Sequence, residues 1–378
     1  MANKKLSEAK NAKNDEFYTQ YEDIQNEVNA YLEYNPDVFR GKTVLLPCDD
    51  PEWSNFTKFF AQNFDNFGLK KLISTSYAYD SKNYTGDYQL SFFEAESPQY
   101  DADKTKTHGK IFTLTRDMNK SGTIDIDDLE WEYLEEDGDF RSDEVKALRD
   151  EADIIITNPP FSLFREFLAW IIEADKKFII IGNQNAITYK EVFPLIMQNK
   201  VWLGKGFKGG AAHFINKYYT DYATASDHKE GMIRVSGVVW FTNIEHGRRH
   251  QPMSLMTMED NIKFSKHKEI RNVGYSAYDN YDAIEIPFTD SIPNDYDGVM
   301  GVPITFLYKY CPEQFEILGM CENLDLYGLK TRIYTTQECQ ERYFELFGKK
   351  GTYDLNASGV VNGNKVYQRI LIRKRVKE

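Results

Sequence analysis

Residues 153–161 read Asp-Ile-Ile-Ile-Thr-Asn-Pro-Pro-Phe. A run of isoleucines bounded by turn residues marks a strand buried on both faces. Two adjacent prolines fix φ near about −65° and remove two backbone donors, so no helix starts inside Asn158–Phe161. Helical spacing resumes at once, with Leu163, Phe164, Phe167, Leu168, Ile171 and Ile172 on one stripe. Strand, stiff loop and amphipathic helix form half of a βαβ unit, which confines the chain to an α/β architecture. Asn158 then stands at the C-terminal end of a strand, where open α/β sheets bind ligands. Its side-chain carbonyl and a neighbouring backbone carbonyl can accept two hydrogen bonds from one exocyclic amine. Phe161 can stack on the ring that carries the amine. A proline-rich strand exit without function is the alternative.

The same rhythm extends both ways. Asp15 to Leu32 has helical spacing, Thr43–Pro47 and Lys71–Ser76 read as strands, and a turn and helix separate them. Ser142 to Ala152 and Tyr189 to Gln198 read as helices, and Lys177–Gly182 and Val201–Gly204 as strands. The expected sheet is mostly parallel with helices on both faces. After Gly206 the pattern changes to short strands (Val235–Thr242, Ile284–Pro287, Val302–Tyr308, Tyr367–Arg373) between Gly, Pro and charged loops. A length of 378 residues exceeds one typical core, so two packed regions are expected. We divide the chain into a flexible basic segment 1–14, a domain 15–240 with an insertion at 86–140, and a region 241–378 packed on that domain.

A net charge of −13 would argue against a polyanionic partner if it were spread evenly. It is not. Between Gly86 and Asp153 there are 20 Asp/Glu and 8 Lys/Arg, a net of −12. Basic stretches occur elsewhere: Glu245 to Arg271 holds six Lys/Arg, four acids and three His, and Lys365 to Lys377 holds six Lys/Arg and no acid. Phosphate binding needs local positive charge, not a positive total. Taken alone, each stretch reads first as a solvated face. No run of 18 apolar residues is present and the N-terminus lacks an apolar stretch, so neither a membrane span nor a signal peptide is expected. Cys48, Cys311, Cys321 and Cys339 lack metal-ligand spacing and read as reduced thiols of a cytoplasmic protein. Asp117 to Asp128 has oxygen side chains near calcium-loop spacing, but strand-like flanks favour an Asn/Gly hairpin turn, and no metal site is expected.

Asn158-Pro159-Pro160-Phe161 resembles the catalytic motif of amino-methyltransferases that use S-adenosylmethionine (SAM), in particular the EcoRI-type adenine-N6 DNA methyltransferases. The likeness runs in one order through residues 15–21, 48–51, 63–66, 138–142, 157–166 and 187–193, and returns at 278–284 and 298–307. It implies a Rossmann-like SAM-binding domain followed by a DNA target-recognition region. It implies methyl transfer to adenine N6 in double-stranded DNA, with the base flipped out. Asn158, Pro159, Pro160 and Phe161 would be catalytic, Asn158 also lining the cofactor site. By the same resemblance Cys48, Asp49 and Asp50 replace the usual Gly-rich loop at the methionine end of SAM, Asp49 taking the ammonium. Capping of the next helix is the alternative for Asp49 and Asp50. Asp139 and Phe140 match the motif that meets the SAM adenine, with a solvated acidic turn as the rival reading. Phe17 and Thr19 match the motif that closes over SAM, with a buried helix face as the rival. The usual ribose-binding acid is missing, since Ser74-Thr75-Ser76-Tyr77 follows the second strand.

For phosphates or base edges the candidates are Arg248, Arg249, Lys263, Lys266, Lys268, Arg271, Arg373, Lys374 and Arg375, with His250 beside them. Tyr275, Tyr278 and Tyr281 can fill the gap left by a flipped base or can be core. Gly298–Pro303 matches the family without an evident chemical role. Expected partners are DNA and, acting separately, a cognate restriction endonuclease; a monomer is expected. Other readings keep the chemistry with cytosine N4 or protein glutamine as acceptor, or make the chain a DNA-binding protein without catalysis, or a calcium-regulated protein.

Overall fold

The computed structural model describes residues 18–50, 54–78, 97–118, 124, 126–207, 210–215, 232–350 and 359–375. Contacts divide the chain into two units: Met1–Val192 with Val201–Gly247, and Phe193–Lys200 with Arg248–Glu378.

The first unit opens with β1 (Tyr18–Thr19), α1 (Tyr21–Tyr34) and β2 (Thr43–Leu46). Then come α2 (Asn55–Gln62), α3 (Phe64–Phe67), β3 (Lys71–Ser76), α4 (Lys104–Thr107), β4 (Lys110–Leu114) and β5 (Glu130–Tyr133). After α5 (Asp143–Glu151) come β6 (Ile154–Thr157), α6 (Phe164–Glu173) and β7 (Lys177–Asn183). The unit closes with β8 (Trp202–Leu203), β9 (Ala211–Ile215), β10 (Met232–Ser236) and β11 (Val238–Thr242). Local chemistry sets the helix starts. Ser54 accepts a hydrogen bond from Phe56 N–H at the start of α2, and Ser142 accepts one from Val145 N–H at the start of α5. Gly68, left-handed at φ 63°, ends α3.

Eight strands form one sheet in the order β5-β4-β3-β2-β6-β7-β11-β8. The four central strands β3, β2, β6 and β7 are parallel. The flanking pairs β3–β4, β4–β5, β7–β11 and β11–β8 are antiparallel. The sheet is therefore mixed, not mostly parallel as the periodicity suggested. The β2–β3 and β6–β7 pairs are joined by helical crossovers and are parallel, whereas the long connections from β3 to β4 and from β7 to β11 bring the chain back in the opposite direction. Alternate residues of the central strands face opposite sides. Val44, Leu46, Leu72, Ile154, Ile156, Ile179, Ile181 and Trp240 join one cluster with Ile24, Val28 and Tyr31 of α1 and the phenylalanines of α2 and α3. On the other face α6 packs: Phe164 lies against Phe241, ring centroids 5.0 Å apart, and occupies the space where Gly182 has no side chain. Helices thus cover both faces, which is why the strands read as unbroken apolar runs. A second, three-stranded antiparallel sheet, β1-β9-β10, carries Thr19 opposite Phe214.

Other local expectations shift. The partner of β4 is Glu130–Tyr133, and Ile126–Asp128 is a 3-10 turn where a strand-like flank was expected. The segment read as one helix from Tyr189 to Gln198 is helical only over Phe193–Met197, and a 3-10 turn, Gln184–Thr188, precedes it.

The second unit contains α7 (Phe193–Met197), α8 (Met258–Phe264), β12 (Ala283–Glu285), β13 (Val299–Pro303) and β14 (Phe315–Met320). It ends with α9 (Thr336–Phe347), β15 (Gly359–Val361), β16 (Asn364–Val366) and β17 (Arg369–Lys374). Its main sheet runs β12-β13-β17-β14. The strand read over Val302–Tyr308 stops at Pro303, which is followed by a 3-10 turn, Ile304–Lys309. Tyr278 and Tyr281 are buried in the core of this unit with Cys321 and Leu371. Gly301 has a packing role here: a Cβ would collide with the Tyr278 ring.

A buried carboxylate ties α1 to the residues after β8. Glu27 is 1% exposed and accepts hydrogen bonds from Tyr31 Oη (2.7 Å), Lys205 N–H (3.0 Å) and Gly206 N–H (3.0 Å). Burial raises its pKa above the ordinary 4.5, outweighing the hydrogen bonds and the Lys205 charge that lower it. A raised acid contributes stability that is full below its unfolded value and is lost as pH climbs through the folded one. The stability of the wild type relative to Glu27→Gln should therefore fall as pH rises above the ordinary 4.5, read by urea unfolding. A difference independent of pH would show that the carboxyl is unperturbed.

Candidate active site

Strands β3, β2 and β6 end on one edge of the sheet. From β2 the chain crosses through α2 and α3 to β3 on one side; from β6 it crosses through α6 to β7 on the other. The crossovers diverge between β2 and β6, and a crevice opens at such a switch point. One hydrogen bond bridges it: Thr157 Oγ1 donates to the Pro47 carbonyl at 2.8 Å, fully buried, across 110 residues of chain. Asn158 follows immediately and is half-buried. Pro159 is buried, Pro160 is extended at φ −52° and ψ 124°, and a 3-10 turn begins at Phe161. Phe161 is half-buried and packs against the core cluster on the α1 side. The sequence expectation that Asn158 caps a buried strand and precedes a rigid loop agrees with this geometry.

The opposite wall is residues 47–50. Cys48 adopts a left-handed conformation, φ 65°, with its N–H bonded to Thr75 Oγ1 at 3.3 Å. Asp49 is 7% exposed; its Oδ1 accepts from Ser54 Oγ at 2.8 Å. Its carbonyl accepts from Thr57 Oγ1 at 3.2 Å and from Ser74 Oγ. Helix α2 is capped by Ser54, so Asp49 is held by the cap and is not itself the cap. Asp50 is half-buried and gives its carbonyl to Ser54 N–H at 2.7 Å. Four hydroxyls (Ser54, Thr57, Ser74, Thr75) hold this loop. Sequence reasoning missed them because their partners are 5 to 27 residues away.

Thr19 is buried and its carbonyl accepts from Asn55 Nδ2 at 2.7 Å, which sets it beside the start of α2. Among the described residues the buried Thr19 Oγ1 and Gln20 Nε2 have no hydrogen-bond partner. Phe17 lies outside the described residues. Asp139 and Phe140 run past the end of β3. Ala78 N–H donates to the Asp137 carbonyl at 2.8 Å, and Gly138, at φ 82°, lies so close to the Ser76 carbonyl that a side chain would not fit. Asp139 is engaged by Arg141, through Nε at 2.8 Å and Nη2 at 2.6 Å, and by Tyr77 Oη at 3.4 Å. Burial opposes its ionisation, but the Arg141 hydrogen bonds and charge prevail and hold the carboxyl below its ordinary value. Arg141 also reaches Glu166 of α6 at 3.2 Å. Phe140 is 3% exposed, edge-on to Phe167 (5.1 Å) and Trp170 (5.7 Å).

An acid after β2, an amide after β6, the buried Thr19 hydroxyl on β1 and the Gln20 amide that follows it suit a zwitterionic ligand with several donors and acceptors. Among the described residues no three His, Cys, Asp or Glu side chains gather as a metal site would. Much of the segment 117–128 lies outside the described residues; at its ends Met118 N–H donates to Asp128 Oδ1 at 2.8 Å.

Most of the candidate cations in the second unit are engaged. Arg249 is buried, donating to Asn199 Oδ1 at 2.9 Å with its guanidinium over Tyr310. Lys263 pairs with Glu259 (2.5 Å), Lys266 with Asp290 (2.8 Å) and Arg373 with Glu316 (2.6 Å). Lys374 meets Asp297 at 2.9 Å, and Arg375 donates to the Pro312 carbonyl at 2.7 Å. Arg248, Lys268 and Arg271 are exposed. Tyr275 is half-buried, its hydroxyl on the Ser291 carbonyl at 2.7 Å.

Thr157→Val would strand the buried Pro47 carbonyl, and an unpaired buried polar group costs about 1–3 kcal/mol. Urea unfolding should register a loss in that range, and a loss below about 0.5 kcal/mol would show that the bridge does not hold the two strand ends.

The family model for the adenine-specific methyltransferase EcoRI matches residues 5–375. The type II methyltransferase M.EcoRI of Escherichia coli is 42% identical over 327 residues, 85% of this chain and 91% of its own. M.MpnI of Mycoplasma pneumoniae, also a type II methyltransferase, is 34% identical over 337 residues, 87% and 90% respectively. A third type II methyltransferase, M.MgeORF184P of Mycoplasma genitalium, is 32% identical over 378 residues, 98% of each chain. No solved structure matches.

Proposed function

The chain belongs to the EcoRI family of adenine-specific DNA methyltransferases, and we propose that it uses SAM to methylate N6 of an adenine flipped out of duplex DNA. The observation that carries this reading is the position of Asn158 and the two prolines at the switch point, across the Thr157–Pro47 bridge from the buried Asp49. The alternatives of cytosine N4 and protein glutamine give way to adenine, the specificity in the family's description.

We assign cofactor and catalysis to the first unit and target recognition to the second. SAM, when bound, supplies an electrophilic methyl group on a sulfonium. Asp49 takes its ammonium, and Thr19, Cys48 and Asp50 line the same loop. Asp139 faces its adenine amine only where Arg141 yields a carboxylate oxygen, and Phe140 shapes that wall from within the core. An adenine amine is a weak nucleophile because its lone pair is delocalised into the ring. The Asn158 side-chain oxygen and the Pro159 carbonyl accept hydrogen bonds from N6 and draw the lone pair back onto nitrogen. Pro160 limits movement of the loop, so these acceptors are in place before the base arrives, and Phe161 stacks on it. Preorganised polar groups of this kind need no covalent intermediate. The base must leave the duplex to reach them.

Asn158→Ala should lower kcat by at least about a hundredfold, the usual effect of losing one such group, while DNA affinity stays within a few fold. Tritium transfer from SAM to unmethylated DNA measures the first and filter binding the second; normal turnover would remove Asn158 from the mechanism. Asp49→Asn should weaken SAM binding about tenfold in calorimetry, as expected for loss of a charge-assisted hydrogen bond. Unaltered affinity would assign Asp49 to the loop scaffold alone.

A further inference from the structure

Helix α8 and the turn after it form a knuckle whose exposed tip the catalytic reading leaves unexplained. Asn272 N–H donates to the Ile262 carbonyl at 2.9 Å, so residues 271–273 return beside the end of the helix. Asn272 itself is left-handed, φ 63°, which makes the return tight. Its inner side is firmly held. Ile270 is 1% exposed and Asn261 is fully buried, its Nδ2 near the Ser291 carbonyl at 3.4 Å. The His267 ring stacks on Phe288 at 3.7 Å and 6°. Asp290 clamps both His267 and Lys266 at 2.8 Å.

Its outer side is the reverse. Phe264 is 71% exposed and Val273 is 72% exposed, among the most exposed large apolar residues described. Lys268 and Arg271 are exposed, and among the described residues neither makes an ion pair. Residues 263–273 carry four Lys/Arg and one Glu. Lys263 and Lys266 are neutralised by Glu259 and Asp290, which leaves Lys268 and Arg271 against Glu269, and two exposed apolar side chains beside these two cations suit a polyanion with apolar interior surface. Duplex DNA is such a partner: phosphates flank grooves lined by sugars, base edges and thymine methyls.

We propose that this knuckle docks on duplex DNA, Lys268 and Arg271 contacting phosphates and Phe264 and Val273 packing on sugars or base edges within a groove. The proposal rests on the DNA methyltransferase reading and adds a specific contact surface to it. The two classes of contact separate experimentally. Phosphate contacts release counterions and set the salt slope, whereas apolar contacts do not.

The test uses the full chain and sheared unmethylated genomic DNA, which carries every short site. Lys268→Gln and Arg271→Gln should each lower the slope of log affinity against log salt by about one. Phe264→Ser and Val273→Ser should weaken binding several-fold, about tenfold for Phe264→Ser, with the slope unchanged. All four sites are exposed, so melting temperatures should match the wild type and confirm intact folding. Wild-type affinity and slope in all four variants would overturn the proposal, as would losses confined to phosphatidylglycerol vesicles with DNA binding intact. Methyl transfer by the wild-type chain on the same DNA is scored separately. If it fails, the functional reading falls; if it succeeds while the variants bind normally, only the knuckle falls.

Discussion

The bond from Thr157 Oγ1 to the Pro47 carbonyl is the constraint on which the candidate site depends. It joins the ends of two strands that meet where the crossovers part. Without it β2 and β6 would still pair through their backbones, but the loops beyond them would have no fixed spacing. With it, Asn158 and the loop that carries Asp49 both leave from strand ends that are tied together. Because it is fully buried, its exchange for water is closed off, so it acts as a positional pin more than as a source of net stability.

The walls are built from small polar groups. Ser54, Thr57, Ser74 and Thr75 spend their hydroxyls on the backbone and carboxylate of residues 48 and 49. The second strand offers hydroxyls where a ribose-binding acid is usual, and those hydroxyls hold the neighbouring loop. A chain lacking a glycine-rich turn still makes a sharp one, because Cys48 accepts a left-handed conformation that these bonds stabilise. Asp139 is tied by Arg141 to Glu166 of α6, the helix that follows the Asn158–Phe161 loop. Arg141 thus links the Asp139 turn, proposed for the cofactor, to the helix after the Asn158–Phe161 loop, proposed for catalysis.

Charge in the second unit follows a similar logic of prior engagement. Seven of the nine cations that the sequence offered to DNA have burial or a partner that can be named: Arg249, Lys263, Lys266, Arg373, Lys374 and Arg375 through the bonds described, and Arg248 through its influence on Tyr308. A basic stretch in one dimension becomes strand β17 paired against Glu316, or a helix turn neutralised by Glu259. Exposed pairs of this kind are weak and can be exchanged for phosphates at small cost. The buried Arg249 cannot.

Much was legible in the sequence because it rests on local rules. The isoleucine run, the two prolines and the apolar stripe from Leu163 to Ile172 dictated a buried strand, a stiff loop and a helix, and put Asn158 at a strand end. The helix beginning at Ser142 was likewise expected from the sequence, whereas the Ser54 cap of α2 was not. Tertiary structure alone decided which strands run antiparallel, since strand direction depends on how the connections pass and not on residue pattern. It also decided that Tyr278 and Tyr281 are core while Phe264 is exposed, and that Gly301 is needed beneath a tyrosine ring. Those outcomes turn on residues far apart in the chain, and no local pattern records which distant partner, if any, arrives to cover a side chain.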